Sequence, residues 1–288
     1  MINVDFSAKG KGEKVFLGLV FVIIGGFIYL VFSPLRPLLE EVADYLGRIG
    51  LIVFLLAATL LARRSQRFEK YSQVLLGLLI MAVAVSLDWI LSVYLLEYLH
   101  VNGNTPVGYA LLKINECAVV VCVVIFLTRV SGGSLGSIYI QKGNLRLGLT
   151  IGLIAFAISV AGSIPTANFL FKGNGLTLAK ILPWAPWLLV FVLTNAAQEE
   201  LLFRGLFLRK LQPYFGKFLS NLMIVLVFTL LHKGATYSSN DAIFLPVLML
   251  SALIWGYVMQ KTDGIWGSIL FHAGMDIPIM LGIFSGLA

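Results

Sequence analysis

Glu199, Glu200 and Arg204 sit in one apolar stretch of the chain, His232 ends a second, and His272 with Asp276 sits in a third. Ionisable side chains are costly in hydrocarbon, so within apolar segments they tend to face a functional cavity. Two of the chain's three histidines belong to this set. If Asn195 to Gly205 is helical, Glu200 and Arg204 share nearly one face at i,i+4 while Glu199 points elsewhere. The economical division is that Arg204 compensates Glu200 and Glu199 is left to face a cavity as a general base. His272 and Asp276 also share a face, so one can orient the other or both can line one site. Each piece has a plain reading as well. A Glu200–Arg204 pair can snorkel to the headgroups, and a histidine at a helix end can simply pack. Those readings leave Glu199 unexplained and make the coincidence of three helices accidental.

Two chemistries suit such a group. In one, His232, His272 and a carboxylate such as Glu199 ligate a divalent ion, Zn²⁺ by donor type, and leave a position for water. In the other, Glu199 helped by His232 deprotonates water, and groups near His272 stabilise an oxyanion. Both end in hydrolysis of a peptide bond. The chain has no HExxH helix of the soluble zinc-protease kind. It has no GxSxG elbow for a serine nucleophile either.

The elements that must position these residues are membrane helices. Hydrophobic residues make up 59% of the 288 and charged residues 12%, against roughly 25% charged in soluble domains. Spans of about 20 apolar residues fall near 15–33, 46–62, 74–96, 107–128, 147–171, 184–208, 218–233, 243–260 and 265–285. The expected fold is therefore all-α, a polytopic transmembrane bundle of about eight or nine spans. The first span is expected to be retained, because Ser33-Pro34-Leu35 resembles no signal cleavage site. Depth is a difficulty. His232 ends its span while His272 lies about a third of the way into its own, so the 218–233 helix must be displaced, tilted or longer for the two to meet.

A net charge of +7 invites a nucleic-acid reading, but no long basic run is present, and no nucleic-acid partner is expected. Lys and Arg gather in short loops, among them Arg63, Arg64, Arg67 and Lys70, and Arg209, Lys210 and Lys217. Fewer fall on the opposite side, at Arg36, Arg48, Lys172, Lys180 and Lys233. This asymmetry predicts a multi-pass protein of the cell membrane with its N-terminus in the cytoplasm. Residues 1–170 carry few intramembrane charges and form an N-terminal group of about five spans, while residues 171–288 carry the dense set. Asp88, Lys113 and Glu116 lie within apolar spans and either line a pathway or make an intramembrane ion pair. Cys117 and Cys122 read as buried small hydrophobes. Trp184, Trp187 and Trp266 read as interfacial anchors.

The runs Glu199-Glu200-xxx-Arg204, Phe228-xxx-His232 and His272-xxx-Asp276 resemble the three motifs of the CPBP family, the CAAX protease and bacteriocin-processing (Abi) membrane proteins. The stretch from Gly256-Tyr257 through Lys261-Thr262-Asp263-Gly264-Ile265-Trp266 to Phe271-His272-Ala273 is similar to the same family, and the likeness covers about residues 184–280. The resemblance implies an α-helical intramembrane endopeptidase, glutamic or metal-dependent, acting on a membrane-associated peptide or protein. It implies water activation by Glu199 and His232 and an oxyanion or ligating role for His272 and Asp276; the expected catalytic set is Glu199, Glu200, His232, His272 and Asp276, with Arg204 in support. CAAX-type members carry Asn at the position of Asp276. An ionised Asp cannot donate to an oxyanion as Asn can, so the departure weakens CAAX processing in particular and leaves hydrolysis standing. Two rivals share the scaffold. One is a carrier or channel that relays protons, for which internal repeats would speak, and none is visible. The other is a non-catalytic bacteriocin-immunity protein.

Overall fold

The computed structural model describes residues 10–31 and 39–287, and among them every regular element is helical. The helices are α1 (Lys11–Val31), α2 (Glu41–Arg64), α3 (Ser72–Leu99), α4 (Pro106–Val130), α5 (Leu145–Ala161), α6 (Ser163–Leu170), α7 (Leu178–Ile181), α8 (Ala185–Glu199), α9 (Leu206–Leu231), α10 (Asp241–Thr262) and α11 (Trp266–Ser285). A π-helical segment, Glu200–Gly205, joins α8 to α9. The first nine residues of the polar N-terminus, Ser33-Pro34-Leu35 and Arg36 lie outside the described residues.

The result is a polytopic helical bundle. Six described helical runs are long and apolar enough to cross a membrane, and a seventh is formed if α5 and α6, bent by 65°, are taken as one broken span. The expected spans 184–208 and 218–233 both fall in the helical stretch Leu178–Leu231, on either side of a kink. The kink is at Gly216, whose φ of 71° and ψ of 178° leave the helical region. Pro213, three residues earlier, lacks the N–H that would continue the ladder. The outer surface is apolar, with Phe126, Ile158 and Phe169 each more than 60% exposed. Polar groups are buried instead, and Glu200 and Arg204 have no exposed surface at all. This is the inverse of a soluble domain and suits a lipid solvent.

Two packed cores meet at the motif residues. The larger joins α1, α3, the π segment, α9 and α10 through residues such as Phe21, Leu78, Phe203, Phe207, Phe228 and Trp255. The smaller joins α6, α8 and α11 through Ala167, Val192, Ala196, Ala273, Ile277 and Phe284. Association of helices in lipid relies on close backbone approach at small residues. Gly148 and Gly152 on α5 provide it against Gly267 on α11. A Cβ at Gly267 would stand 2.5 Å from the Gly148 carbonyl oxygen, and one at Gly152 would stand 2.8 Å from that of Gly267. This contact fixes the height and rotation of α11, the helix that carries His272 and Asp276.

Candidate active site

Glu199 is the last residue of α8 and Glu200 the first of the π segment. Single-turn π segments widen a helix locally and recur at functional sites. Here the segment is buried throughout. Arg204 Nη1 donates to Glu200 Oε1, the Ser268 hydroxyl donates to Glu200 Oε2, and His272 Nδ1 lies 2.9 Å from Glu200 Oε1. Both oxygens of Glu200 are therefore engaged inside the protein. Arg204 is further enclosed by two aromatic faces, with its guanidinium carbon 4.9 Å from the Phe228 ring centroid and 5.2 Å from that of Trp255. Such stacking suits the weakly hydrated, planar guanidinium.

Glu199 faces a different space. Its side chain keeps 20% exposure, and its Oε2 lies 3.5 Å from His272 Nε2. His272 is 2% exposed and surrounded by carboxylates, with Nε2 also 3.5 Å from Asp276 Oδ1. Its ring lies flat against the Trp255 indole, with centroids 3.9 Å apart and planes 12° from parallel. Asp276 is held in turn by Asn195, whose Nδ2 donates to Oδ2 at 2.9 Å. Asn195 is one turn before Glu199 on α8, so a single helix face supplies both the free carboxylate and the amide that orients Asp276.

His232 caps the C-terminal end of α9, and its Nδ1 lies 2.8 Å from the Phe228 carbonyl oxygen. A carbonyl only accepts, so Nδ1 carries the hydrogen in this bond and a neutral ring keeps its lone pair on Nε2. The Phe228 ring lies between the two imidazoles, 4.6 Å from His232 and 6.0 Å from His272. His232 interacts electrostatically with both Glu199 and His272. The structure thus gathers Glu199, Glu200, Arg204, His272 and Asp276 by direct contact and brings His232 beside them through Phe228.

Among the described residues, no three or more His, Cys, Asp or Glu side chains are grouped to hold a metal ion. His272 Nδ1 faces Glu200 and its Nε2 faces Glu199 and Asp276, while His232 commits Nδ1 to a backbone carbonyl.

Three neighbours of the site escape a reading by motif. Ser268 and Trp255 hold Glu200 and His272, and neither residue type is unusual in an apolar helix. Tyr237, on the segment between α9 and α10, interacts electrostatically with Glu199 and Asp276. Its ring packs 6.4 Å from Phe171 and 5.8 Å from Phe244. Burial first, then the carboxylates of Glu199, Asp276 and Asp241, push its phenol pKa up. The phenol therefore remains an O–H donor. The only signal in the chain was its place five residues after His232.

Residues 181–278 match the family model described as Rce1-like, type II CAAX prenyl endopeptidase Rce1-like. The matched stretch runs from the end of α7 to Pro278 on α11 and contains every motif residue from Glu199 to Asp276. It agrees with the family that the motifs resemble, and it supports a CAAX-type intramembrane endopeptidase in general terms. No curated protein and no solved structure matches the chain.

Proposed function

We propose that the protein is a glutamate-dependent intramembrane endopeptidase that hydrolyses a peptide bond in a membrane-associated peptide or protein. The observation that carries the reading is the division of labour between adjacent carboxylates. Glu200 is consumed by Arg204, Ser268 and His272, while Glu199 keeps exposed surface and faces the same histidine from another side.

Glu199 serves as general base for a water shared with Nε2 of His232. As the base takes one proton, the water oxygen bonds to the scissile carbonyl carbon, and the carbonyl electrons move to oxygen. The oxyanion is met by Nε2–H of a His272 ring that carries hydrogen on both nitrogens, Nδ1–H being held by Glu200, and by the Tyr237 hydroxyl, donors available without Asn at position 276. Collapse of the tetrahedral species breaks the C–N bond, and the proton held by Glu199 passes to the departing amine. One water is consumed, and one carboxyl and one amino group are formed. Asp276, gripped by Asn195, holds His272 in place. No step is routed through a metal.

In this proposal residues 171–288 supply the catalytic helices and residues 1–170 the surrounding helices. The protein sits in the cell membrane with a cytoplasmic N-terminus, as the Lys and Arg asymmetry favours. The test is peptidomics of membranes carrying wild-type protein or Glu199→Gln. Peptides released only by the wild type are expected. Equal release by both would overturn Glu199 as the base. Solute flux lost in the variant, with no peptidase activity in either protein, would instead favour a transporter.

A further inference from the structure

Hydrolysis inside a bilayer needs a route for water, and a trail of polar groups leads away from the site. It lies in α3 and α4, outside the matched residues 181–278. Lys113 and Glu116 on α4 form an ion pair, with side chains only 16% and 14% exposed. The Lys113 ammonium stands 5.6 Å over the ring of Phe191 on α8. Phe191, Asn195 and Glu199 follow one another at i,i+4 along that helix, so Lys113 lies over the face that ends at Glu199. It interacts electrostatically with both Glu199 and Asp276. On the other flank, Asp88 of α3 interacts with Glu116, Lys113 and Arg48. The Asn115 amide ties the two helices together there, donating to the Leu91 carbonyl at 3.2 Å.

The two ends of this trail hold unsatisfied acceptors. Asp88 and Gln198 are each 8% exposed, and Asp88 Oδ1 and Gln198 Oε1 are buried with no hydrogen-bond partner from the protein. Gln198 precedes Glu199 directly. Buried polar atoms that find no protein partner are ordinarily met by water held among several polar groups. A charged pair between the two acceptors supplies the further donors and acceptors such waters need.

We propose that Asp88, Lys113, Glu116 and Gln198 form a hydrated seam between α3, α4 and α8, which conducts water to Glu199. The seam gives α3 and α4 a role in the reaction without contact with substrate. Its purpose rests on the peptidase reading, but its hydration does not.

The chain carries its own reporters. Cys117 lies on α4 one residue beyond Glu116 and is partly buried, whereas Cys122 is exposed on the outside of the bundle. In lipid nanodiscs, the full-length protein is treated with the membrane-impermeant cation 2-(trimethylammonium)ethyl methanethiosulfonate, and each cysteine is followed by peptide mass spectrometry. Modification of Cys117 is expected at least tenfold faster than that of lipid-facing Cys122, with denatured protein labelled at both. Cys117 labelled no faster than Cys122 would overturn the seam. Asp88→Leu is expected to abolish Cys117 labelling and lower kcat about tenfold with KM unchanged, while Asp88→Asn keeps both. Unchanged kcat after labelling is lost would overturn the supply of water by this route. Should Asp88→Leu fail to fold, Gln198→Leu at the opposite end is expected to give the same paired losses. The labelling ratio needs no substrate. It therefore stands apart from the peptidase reading, whose own failure would be a wild type that cleaves nothing.

Discussion

The imidazole of His272 lies on the indole of Trp255, with ring centroids 3.9 Å apart and planes 12° from parallel. The stack fixes the plane of an imidazole whose nitrogens address three carboxylates. Trp255 is 1% exposed, and its Nε1 has no hydrogen-bond partner. Its contribution is therefore the flat surface and the volume. Trp255→Phe keeps a ring and is expected to lower kcat severalfold. Trp255→Ala is expected to destabilise the protein by about 3–5 kcal/mol and to remove activity. Thermal unfolding in detergent beside a cleavage assay separates the two effects.

Glu199 and Glu200 are neighbours in sequence and opposites in environment. Glu199→Gln is expected to reduce cleavage by about 10²–10⁴-fold with little change in Tm. Glu200→Gln leaves Arg204 as a fully enclosed cation without its counter-charge, and loss of one partner of a buried pair costs about 3–5 kcal/mol. Its expected signature is a large fall in Tm. Replacing both members, as in Glu200→Gln with Arg204→Met, is expected to restore much of the stability and none of the activity. Equal Tm for the two single variants would contradict the division of labour.

Addition of a chelator checks the absence of a metal step. Among the described residues no three donors are grouped for an ion, so cleavage is expected to persist in excess EDTA or phenanthroline, with loss of cleavage and its restoration by zinc as the contrary result.

The helical class and the meeting of Glu200 with Arg204 were legible because both follow from short-range periodicity. Apolar runs of bilayer length can only be helices or closed barrels, and an i,i+4 pair is fixed by helix geometry alone. Two features were not legible. The π segment shifts the residues after Glu199, and the non-helical backbone at Gly216 sets the kink between the two expected spans. Nor does any pattern say that Asn195 grips Asp276 or that Ser268 donates to Glu200. Those bonds depend on how α8 and α11 are set against each other by the α5 contact, a long-range property. The Lys113–Glu116 pair was visible as spacing, whereas its lie over Phe191 of α8 was not.

That long-range setting is itself testable. A Cβ on Gly267 meets the Gly148 carbonyl at 2.5 Å, and backbone cannot swing aside as a side chain can. Gly267→Ala is expected to force α5 and α11 apart at a cost of about 1–3 kcal/mol, and to lower kcat by moving His272. A Cβ on Gly26 of α1 would meet nothing within 4 Å. Gly26→Ala is expected to be neutral or to gain up to about 1 kcal/mol from helix propensity. Matching Tm losses in the two variants would show that helix propensity, not the crossing, governs the outcome.

Tyr237 offers a test that separates donation from packing. Its phenol pKa is raised, chiefly by burial, so the folded protein holds the proton more firmly than the unfolded chain does. Linkage then gives the sign. The phenol's contribution to stability is complete below the unfolded value of about 10, and it is lost as pH rises above that value towards the folded pKa. Tyr237→Phe keeps the ring against Phe171 and Phe244. It is therefore expected to hold its Tm near pH 7 and to lose less stability than the wild type above pH of about 10. If the hydroxyl meets the oxyanion, kcat falls by about 10²-fold or more across the neutral range, with KM little altered and no new pH dependence there, because the group does not titrate in that window. A variant with wild-type kcat would leave Tyr237 as a packing residue and place oxyanion stabilisation on His272 alone.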